Sequence, residues 1–191
     1  MEIGATKAVQ DRLKTTKIEE SKGASLVFCW DTHLTKIKGR NVLFIVNASN
    51  RYTIAMTDIE PRNWNYYTMY IRSVIHGVMQ EMGYSEDQIG QYFKMSGDTT
   101  VTKTHGRKSV GGINRMVMDA QYFGKKLEKE AKYQWELSEY LNRDICQPEG
   151  FDAYGYPSEL FKLDMERLGI ATKRKPAKVI DIAQYLSLIH I

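Results

Sequence analysis

Residues 25–57, SLVFCWDTHLTKIKGRNVLFIVNASNRYTIAMT, decide the fold of this 191-residue chain. The stretch divides into the runs SLVFCW, THLTKIK, NVLFIVN and RYTIAMT, which are rich in the β-branched and aromatic residues that strands favour. Turn-forming residues separate the runs at Asp31, at 39–41 and in NASN. Because these separations are too short for crossover helices, the pattern predicts an antiparallel meander of four strands over about residues 25–57.

Helical periodicity surrounds the predicted sheet. The segment ATKAVQDRLK predicts a short first helix, and the apolar spacing over 64–82 predicts a second helix that Gly83 ends. Ser85 and Gln88 have the spacing of a capping box, which predicts a third helix that reaches about residue 94. The β-branched run TTVTKT then predicts a fifth strand near 99–104.

A long helix is predicted over 108–140. Apolar or small residues keep one face from Val110 to Ala131, and Gly124 on that face is expected to permit a close backbone approach. The segment PSELFKLDMERLG predicts a last helix, with Pro157 at its start and Gly169 just past its end.

These patterns predict an α+β fold, in which an antiparallel meander sheet of about five strands packs against long helices near 62–82 and 108–140, with a C-terminal helical extension. With 42% apolar residues, the chain is long enough for one core and too short for two independent domains. The predicted organisation is an α+β core domain over 1–144, a loop and C-terminal helix packed on the core over 145–170, and a basic linker and tail over 171–191.

The last six residues, LSLIHI, end the chain without a cap or a polar tail. They match the in-frame translation of a common sequencing adapter. We hypothesise that they are not native and that the native chain continues beyond Tyr185, so His190 is given no functional weight. Native coding sequence through codon 191 at the genomic locus would contradict this hypothesis.

The cysteine and histidine content argues against a metal site. Cys29 and Cys146 lie far apart without CxxC spacing, and the four histidines are not paired at ligand spacing. Cys29 is expected to be a small buried hydrophobe, and neither a metal nor a cofactor is predicted. The distant cysteines, with no secretory h-region before the first helical segment, favour a reduced cytoplasmic setting. No run approaches the roughly 20 apolar residues of a membrane span, so no membrane partner is expected.

The segment 102–112, TKTHGRKSVGG, is the strongest functional candidate. A strand that leads into a helix N-terminus leaves N–H groups free, and a glycine pair with nearby cations would let a phosphate oxygen approach them. The spacing is not that of a P-loop. The candidate anion-binding residues are Lys103, Thr104, Arg107, Lys108, Ser109 and Asn114, and the candidate supporting cleft is formed by Trp30, His33, Arg51 and Tyr52.

A purely structural interpretation of the same segment stays open. In it, Thr104 or Ser109 caps the helix, Gly106 makes the turn, and Arg107 and Lys108 are solvated charges.

Two catalytic interpretations are also open. Ser109 and His105 have the residue types of a nucleophile and its base, but the sequence indicates no third group. Asp31 and His33 are expected to share one face of a strand, either as a hydrogen-bonded structural pair or as an acid–base dyad.

The order of these segments resembles a bacterial family known as domain of unknown function 6933. The resemblance covers about residues 3–125 and extends to the helix that contains YPSELF. It departs after Trp30, where DTH replaces His-Ala-Asn, and at Gly39, where a basic pair is partly lost. The resemblance implies this fold and a bacterial origin, and it implies no activity. The matching positions are Trp30, Leu34, Asn47, Arg51, Tyr52, Lys103, Thr104, Arg107, Ser109 and Asn114.

Two classes of function are predicted from the basic segment. The preferred one is a non-catalytic binding module for an acidic partner, either nucleic acid or an acidic protein, which uses the basic joint with Arg51 and Tyr52. The alternative is an enzyme that acts on a phosphorylated or nucleotide-like small molecule, with Lys103 and Arg107 stabilising charge. The net charge of +4 permits an acidic partner without requiring one.

Overall fold

The computed structural model describes residues 1–15 and 18–172. This part of the chain is a mixed α+β domain, so the predicted α+β class is confirmed. Its strands are β1 (Glu2–Ala5), β2 (Cys29–Ile37), β3 (Arg40–Asn47), β4 (Thr53–Thr57) and β5 (Thr100–Thr102). Its helices are α1 (Lys7–Leu13), α2 (Pro61–Asn65), α3 (Tyr67–Glu81), α4 (Glu86–Ser96), α5 (Gly106–Gln121), α6 (Trp135–Asn142) and α7 (Pro157–Arg167).

The five strands form one mixed sheet in the order β4-β3-β2-β1-β5, so the predicted antiparallel meander is wrong for the sheet as a whole. Strands β2, β3 and β4 are antiparallel neighbours, whereas β1 lies parallel to both β2 and β5. The short segment EIGA was missed because the strands that pair with it lie far along the chain, with Glu2 beside both Cys29 and Thr100.

The predicted first two strands are one strand. Asp31 does not turn the chain, since Trp30 and Asp31 continue the pairing with Asn47 and Val46 of β3. The residues before Cys29 instead form a 3₁₀ turn, Leu26–Phe28. Three antiparallel strands therefore replace the four that were predicted over 25–57.

Both faces of the sheet are buried, and alternate residues of β3 serve the two faces. Leu43 and Ile45 belong to a core that α3, α4 and α7 complete. Val42, Phe44 and Val46 belong to a second core with α5 and α6. The helices predicted near 62–82 and 108–140 consequently lie on opposite faces.

The helix signals around 61–96 are largely confirmed. The predicted helix over 64–82 is divided at Tyr66 into α2 and α3, and Gly83 follows it with a φ of 88°. Ser85 and Gln88 form the expected capping box at the start of α4. In α7 the signals also hold, with Pro157 in its first turn and Gly169 beyond its end at a φ of 72°.

The single long helix predicted over 108–140 is wrong. Helix α5 ends at Gln121 and α6 begins only at Trp135, and a Cβ added at Gly124 would contact nothing within 4 Å. The intervening segment bonds the exposed edge of β4, where the Thr57 N–H donates to the Lys132 carbonyl at 2.7 Å and the Gln134 N–H donates to the Ala55 carbonyl at 2.9 Å. The hydrogen bonds that this segment makes with the unpaired edge of β4 stabilise the fold more than a continuation of α5 would.

The predicted C-terminal helix packs on the core through Phe161, whose ring lies 5.2 Å from that of Tyr52 and 6.1 Å from that of Trp30. Most of the predicted basic linker and the whole LSLIHI segment lie outside the described residues. Within residues 1–15 and 18–172, the helices are too short or too polar to cross a membrane.

Candidate functional site

The N-terminus of α5 points at a carboxylate of the protein itself. Asp31, the third residue of β2, is 0% exposed, and its carboxylate oxygens accept hydrogen bonds from the His105 N–H at 3.2 and 3.3 Å. The Ser109 hydroxyl also donates to Asp31. An anion at this position is favoured by the partial positive charge of a helix N-terminus. The strand-to-helix joint therefore carries its own anion.

This geometry corrects the expected helix cap. The N-cap of α5 is His105, and neither Thr104 nor Ser109 caps the helix with its side chain. Gly106 makes the turn, as predicted, with a φ of 90°.

His105 joins Asp31 to a second buried carboxylate. Its Nδ1 lies 2.7 Å from Asp31 Oδ1, and its Nε2 lies 3.0 Å from Glu2 Oε2. Glu2 is held in turn by the Ser21 hydroxyl at 2.6 Å and by the Lys22 N–H at 2.8 Å. The side chains of His105, Asp31 and Glu2 are 3%, 0% and 6% exposed. We call this group the Asp31–His105–Glu2 network.

Burial and hydrogen bonding act in opposite directions on His105. Burial lowers the pKa of its imidazole, but hydrogen bonds to Asp31 and Cys29 together with the charge of Asp31 outweigh burial and raise this pKa to about 10. His105 is therefore an imidazolium at neutral pH, held between two carboxylates. For Glu2, burial raises the pKa, and the hydrogen bonds from Ser21, Lys22 and His105 bring it below its ordinary value.

A glycine allows the network to form at the joint. A Cβ at Gly4 would overlap Asp31 Oδ1 and would lie 3.0 Å from the Cα of Thr104. The close approach of β1 to both the carboxylate and the joint therefore requires glycine at this position.

The network supplies the third group that the sequence did not indicate for Ser109 and His105. Both residues bond Asp31, but the side chains of Asp31 and His105 are sealed from solvent. A substrate would have to open the α5 joint to reach them. The arrangement ties β1, β2 and α5 together. The Ser109 hydroxyl donates to Asp31 and not to the His105 imidazole, so the two residues do not form the hydrogen-bonded nucleophile and base of acyl transfer.

The solvent-accessible candidate is a cleft of about 240 Å³ along the flank of α5. Its lining includes the basic residues Arg51, Lys108 and Arg115 and the glycine pair at 111–112. We call this the α5 cleft. Among the described residues that line it, Glu149 alone is acidic, so three cations less one anion leave a local charge of +2.

The cations of the α5 cleft are held to different degrees. Arg51 has a left-handed backbone, with a φ of 62°, and its guanidinium donates to the Gly112 carbonyl at 3.1 Å. Lys108 donates to the Pro148 carbonyl at 3.3 Å and lies 3.9 Å from Glu149. The side chain of Arg115 is 75% exposed and lies 4.0 Å from Asp119. Each of the three keeps donors available to a ligand.

Three of the predicted site residues, Arg51, Lys108 and Ser109, meet in this cleft. Arg107 and Asn114 are exposed on α5, and Thr104 lies beside Gly4. Neither Arg107 nor Asn114 lines the cleft, and Lys103 forms an ion pair with Glu20.

The predicted supporting cleft does not assemble as one surface. Trp30 and Tyr52 are buried in the core that α7 completes, and the indole N–H of Trp30 donates to the Tyr92 hydroxyl at 2.9 Å. Asp31 and His33 lie on the same face of β2 but do not form the expected pair, because His33 Nδ1 lies 3.2 Å from the Thr6 hydroxyl. Burial lowers the pKa of His33. The partner of Asp31 is His105.

Sequence reasoning missed Arg115 as a cleft residue, although a signal was present. Lys108, Gly111 or Gly112, and Arg115 follow at i, i+3 or i+4, and i+7, which is the spacing of one helix face. Residues 147–149 also line the cleft, but they follow α6 in the chain, and no local sequence signal joins them to α5.

The architecture and the site define a three-layer α+β domain with a buried acidic–histidine network and a basic surface cleft. The chain belongs to the family described as Domain of unknown function (DUF6933), whose family model matches residues 2–160. This confirms the resemblance seen in the sequence, and the match includes both the network and the cleft. Searches of curated proteins and of solved structures found no match.

Proposed function

We propose that the protein is a non-catalytic binding module that holds a phosphate group of an acidic partner in the α5 cleft. The observation that carries this proposal is the convergence of Arg51, Lys108 and Arg115 on an open cleft. The residues of the enzyme alternative, Lys103 and Arg107, do not line this cleft, and the candidate nucleophile and base, Ser109 and His105, are engaged with the buried Asp31.

The chemistry of the cleft suits a phosphate oxygen. Arginine presents a planar fork of donors that matches phosphate, and lysine adds a compact positive charge. Gly111 has no side chain and a Cβ there would meet nothing within 4 Å, so a ligand can approach the backbone of α5 closely at this position, whereas the Arg51 side chain lies over Gly112. Glu149 competes for Lys108 at 3.9 Å, which favours a ligand with more than one negative charge.

The size of the cleft restricts what enters it. A volume of about 240 Å³ is below the usual range of roughly 300–1,000 Å³ for sites that enclose a whole small molecule. The cleft accommodates a phosphate group while the rest of its partner lies outside. The exposed Arg107 and Arg115 extend the positive surface along α5, which suits a strand of phosphodiesters.

A binding experiment with two ligands tests the proposal and distinguishes a nucleic acid from a small phosphorylated molecule as the source of the phosphate group. A fluorescein-labelled single-stranded oligodeoxythymidylate is titrated with the full chain by anisotropy over a series of salt concentrations, and pyrophosphate is titrated by calorimetry. We expect Lys108→Glu and Arg115→Glu each to weaken oligonucleotide binding about tenfold at low salt and to reduce the salt slope by about one. Binding of pyrophosphate alone would assign the cleft to a small phosphorylated ligand.

Arg143→Glu provides a matched control. Arg143 is 77% exposed and pairs with Glu139 at i, i+4, just as Arg115 is 75% exposed and pairs with Asp119 at i, i+4. Arg143 does not line the α5 cleft. We expect this variant to bind like the wild type. Equal losses in Arg115→Glu and Arg143→Glu, or no loss in either cleft variant, would overturn the proposal.

A further inference from the structure

Three side chains with metal-binding atoms meet beneath the α5 joint. They are Glu2 on β1, Cys29 on β2 and His105 at the N-cap of α5, and all three are buried. One ligand atom from each lies within 4.8 Å of the other two. The sheet register explains part of this meeting, because Glu2 and Cys29 are directly paired between parallel strands and so project to the same face.

The distances are close to those of an occupied zinc site. With bonds of about 2.0–2.3 Å to oxygen, nitrogen and sulfur in a tetrahedron, ligand atoms are separated by about 3.3–3.6 Å. His105 Nε2 and Glu2 Oε2 are already 3.0 Å apart, and the sulfur is within 4.8 Å of both residues' ligand atoms. Closing the remaining gap requires movements of about 1 Å, which side-chain rotation supplies.

The surroundings of the three residues have the form of a second coordination shell. Asp31 lies 2.7 Å from His105 Nδ1, so it can accept the proton of that nitrogen and leave Nε2 free as a ligand. Asp31 is itself fixed by the Ser109 hydroxyl and the His105 N–H. Ser21 and Lys22 orient the Glu2 carboxylate in the same way.

Charge in this region also favours a cation. The carboxylates of Glu2 and Asp31 are buried together, and a protonated His105 balances one of them. The N-terminal ammonium is engaged with the carbonyls of Ser96 and Asp98. The thiol of Cys29 makes long contacts with the carbonyls of Ser25 and Ala24, at 3.5 and 3.7 Å, and it also interacts with the His105 imidazole.

We propose that Glu2, Cys29 and His105 form a zinc site that joins β1, β2 and α5. A set of one sulfur, one nitrogen and one carboxylate oxygen suits Zn²⁺ and does not suit Mg²⁺ or Ca²⁺, which prefer oxygen alone. On binding, Zn²⁺ replaces the thiol proton of Cys29 and the Nε2 proton of His105, and both protons leave to solvent. The dication is balanced by the thiolate and the Glu2 carboxylate, and an oxygen ligand completes the tetrahedron.

The test uses the full chain purified without chelators. We expect elemental analysis to find about one zinc per chain, and the metal-free protein to regain its thermal midpoint when Zn²⁺ is added. Cobalt(II) in place of zinc should give a thiolate-to-cobalt charge-transfer band in the near ultraviolet, which reports on Cys29 directly.

Matched variants separate this site from other metal-binding groups. Competition with a chromophoric chelator should show that Cys29→Ser and His105→Gln weaken zinc binding by about 100-fold or more, which exceeds the usual effect of losing a residue that only orients a ligand. Cys146→Ser and His33→Gln replace a buried cysteine and a partly buried histidine outside the cluster and should change binding less than about threefold.

Zinc content and the cobalt spectrum are measured on the wild-type chain, so a variant that fails to fold does not affect them. A wild-type chain that binds no zinc above the chelator, or a cobalt complex without the thiolate band, would overturn it. In either case His105 would act as an imidazolium that links two carboxylates without a metal.

Discussion

Replacement of Asp31 by alanine should destabilise the protein more than replacement of any exposed aspartate. Asp31 is 0% exposed and is the shared acceptor for the His105 N–H, for His105 Nδ1 and for the Ser109 hydroxyl. Asp31→Ala leaves these three donors without an acceptor beneath α5. It also leaves the imidazolium of His105 with Glu2 as its remaining carboxylate partner.

The size of the loss follows from two opposing contributions. Each hydrogen bond to a charged group contributes about 1.5–3 kcal/mol, so the three bonds together contribute about 5–9 kcal/mol. Keeping the carboxylate of Asp31 out of water costs several kcal/mol, and this cost disappears in the variant. The contribution of the hydrogen bonds is larger than the cost of burying the carboxylate, so the net destabilisation should be about 3–5 kcal/mol, as for other buried pairs that lose one partner.

Urea unfolding with excess chelator measures this loss independently of bound metal. With a slope of about 2 kcal/mol per molar urea, the midpoint of Asp31→Ala should fall by about 1.5–2.5 M. Asp119→Ala is the control, because Asp119 pairs with Arg115 at 4.0 Å on the surface and its loss should cost less than about 1 kcal/mol. A midpoint for Asp31→Ala within 0.5 M of the control, roughly 1 kcal/mol at that slope, would refute the assignment of Asp31 as the anion of the α5 joint.

Three further outcomes are expected. Gly150→Ala should lower the free energy of unfolding by about 1–3 kcal/mol, because its Cβ would lie 2.7 Å from the Ser49 carbonyl oxygen. Gly124→Ala is the control, because a Cβ at Gly124 would meet open space, and it should change this free energy by less than about 0.5 kcal/mol. Similar urea midpoints for the two variants would contradict this. Phe161→Ala should cost about 3–5 kcal/mol, because the ring is 1% exposed and packs on Trp30 and Tyr52, and a wild-type thermal midpoint would show that α7 does not stabilise the core. Burial raises the pKa of Asp164 despite hydrogen bonds from Asn50 and Ser49, so the folded protein holds this proton more tightly than the unfolded chain does. The stability of the wild type should therefore fall relative to that of Asp164→Asn as pH rises above about 4. Parallel stability curves for the two proteins, from urea titrations at several pH values, would contradict this.

Much of the local structure could be predicted because its causes lie within a few residues. The capping box at Ser85 and Gln88, the left-handed glycines after α3 and α7, and the antiparallel pairing of β2 to β4 all depend on short-range geometry. The same applies to the basic character of α5. These features were read correctly from residue type and spacing alone.

The errors share one physical cause, which is pairing between distant parts of the chain. Strand β1 exists because Glu2 pairs with Cys29 and Thr100, and α5 stops at Gln121 because the following residues bond the edge of β4. In both cases a tertiary hydrogen-bond partner overrides local propensity, and no window along the sequence contains that partner.

The candidate sites show the same division. By itself the sequence determined the α+β class and the basic strand-to-helix joint, because residue type and periodicity act locally, and its motifs carried the resemblance to the family. Only the tertiary structure decided that Asp31 occupies the N-terminus of α5, that Arg51 and Arg115 share one cleft, and that Glu2, Cys29 and His105 meet. Parallel pairing across β1 and the turn at Gly106 bring these side chains together over separations of up to 103 residues, and residue spacing carries no information at that range.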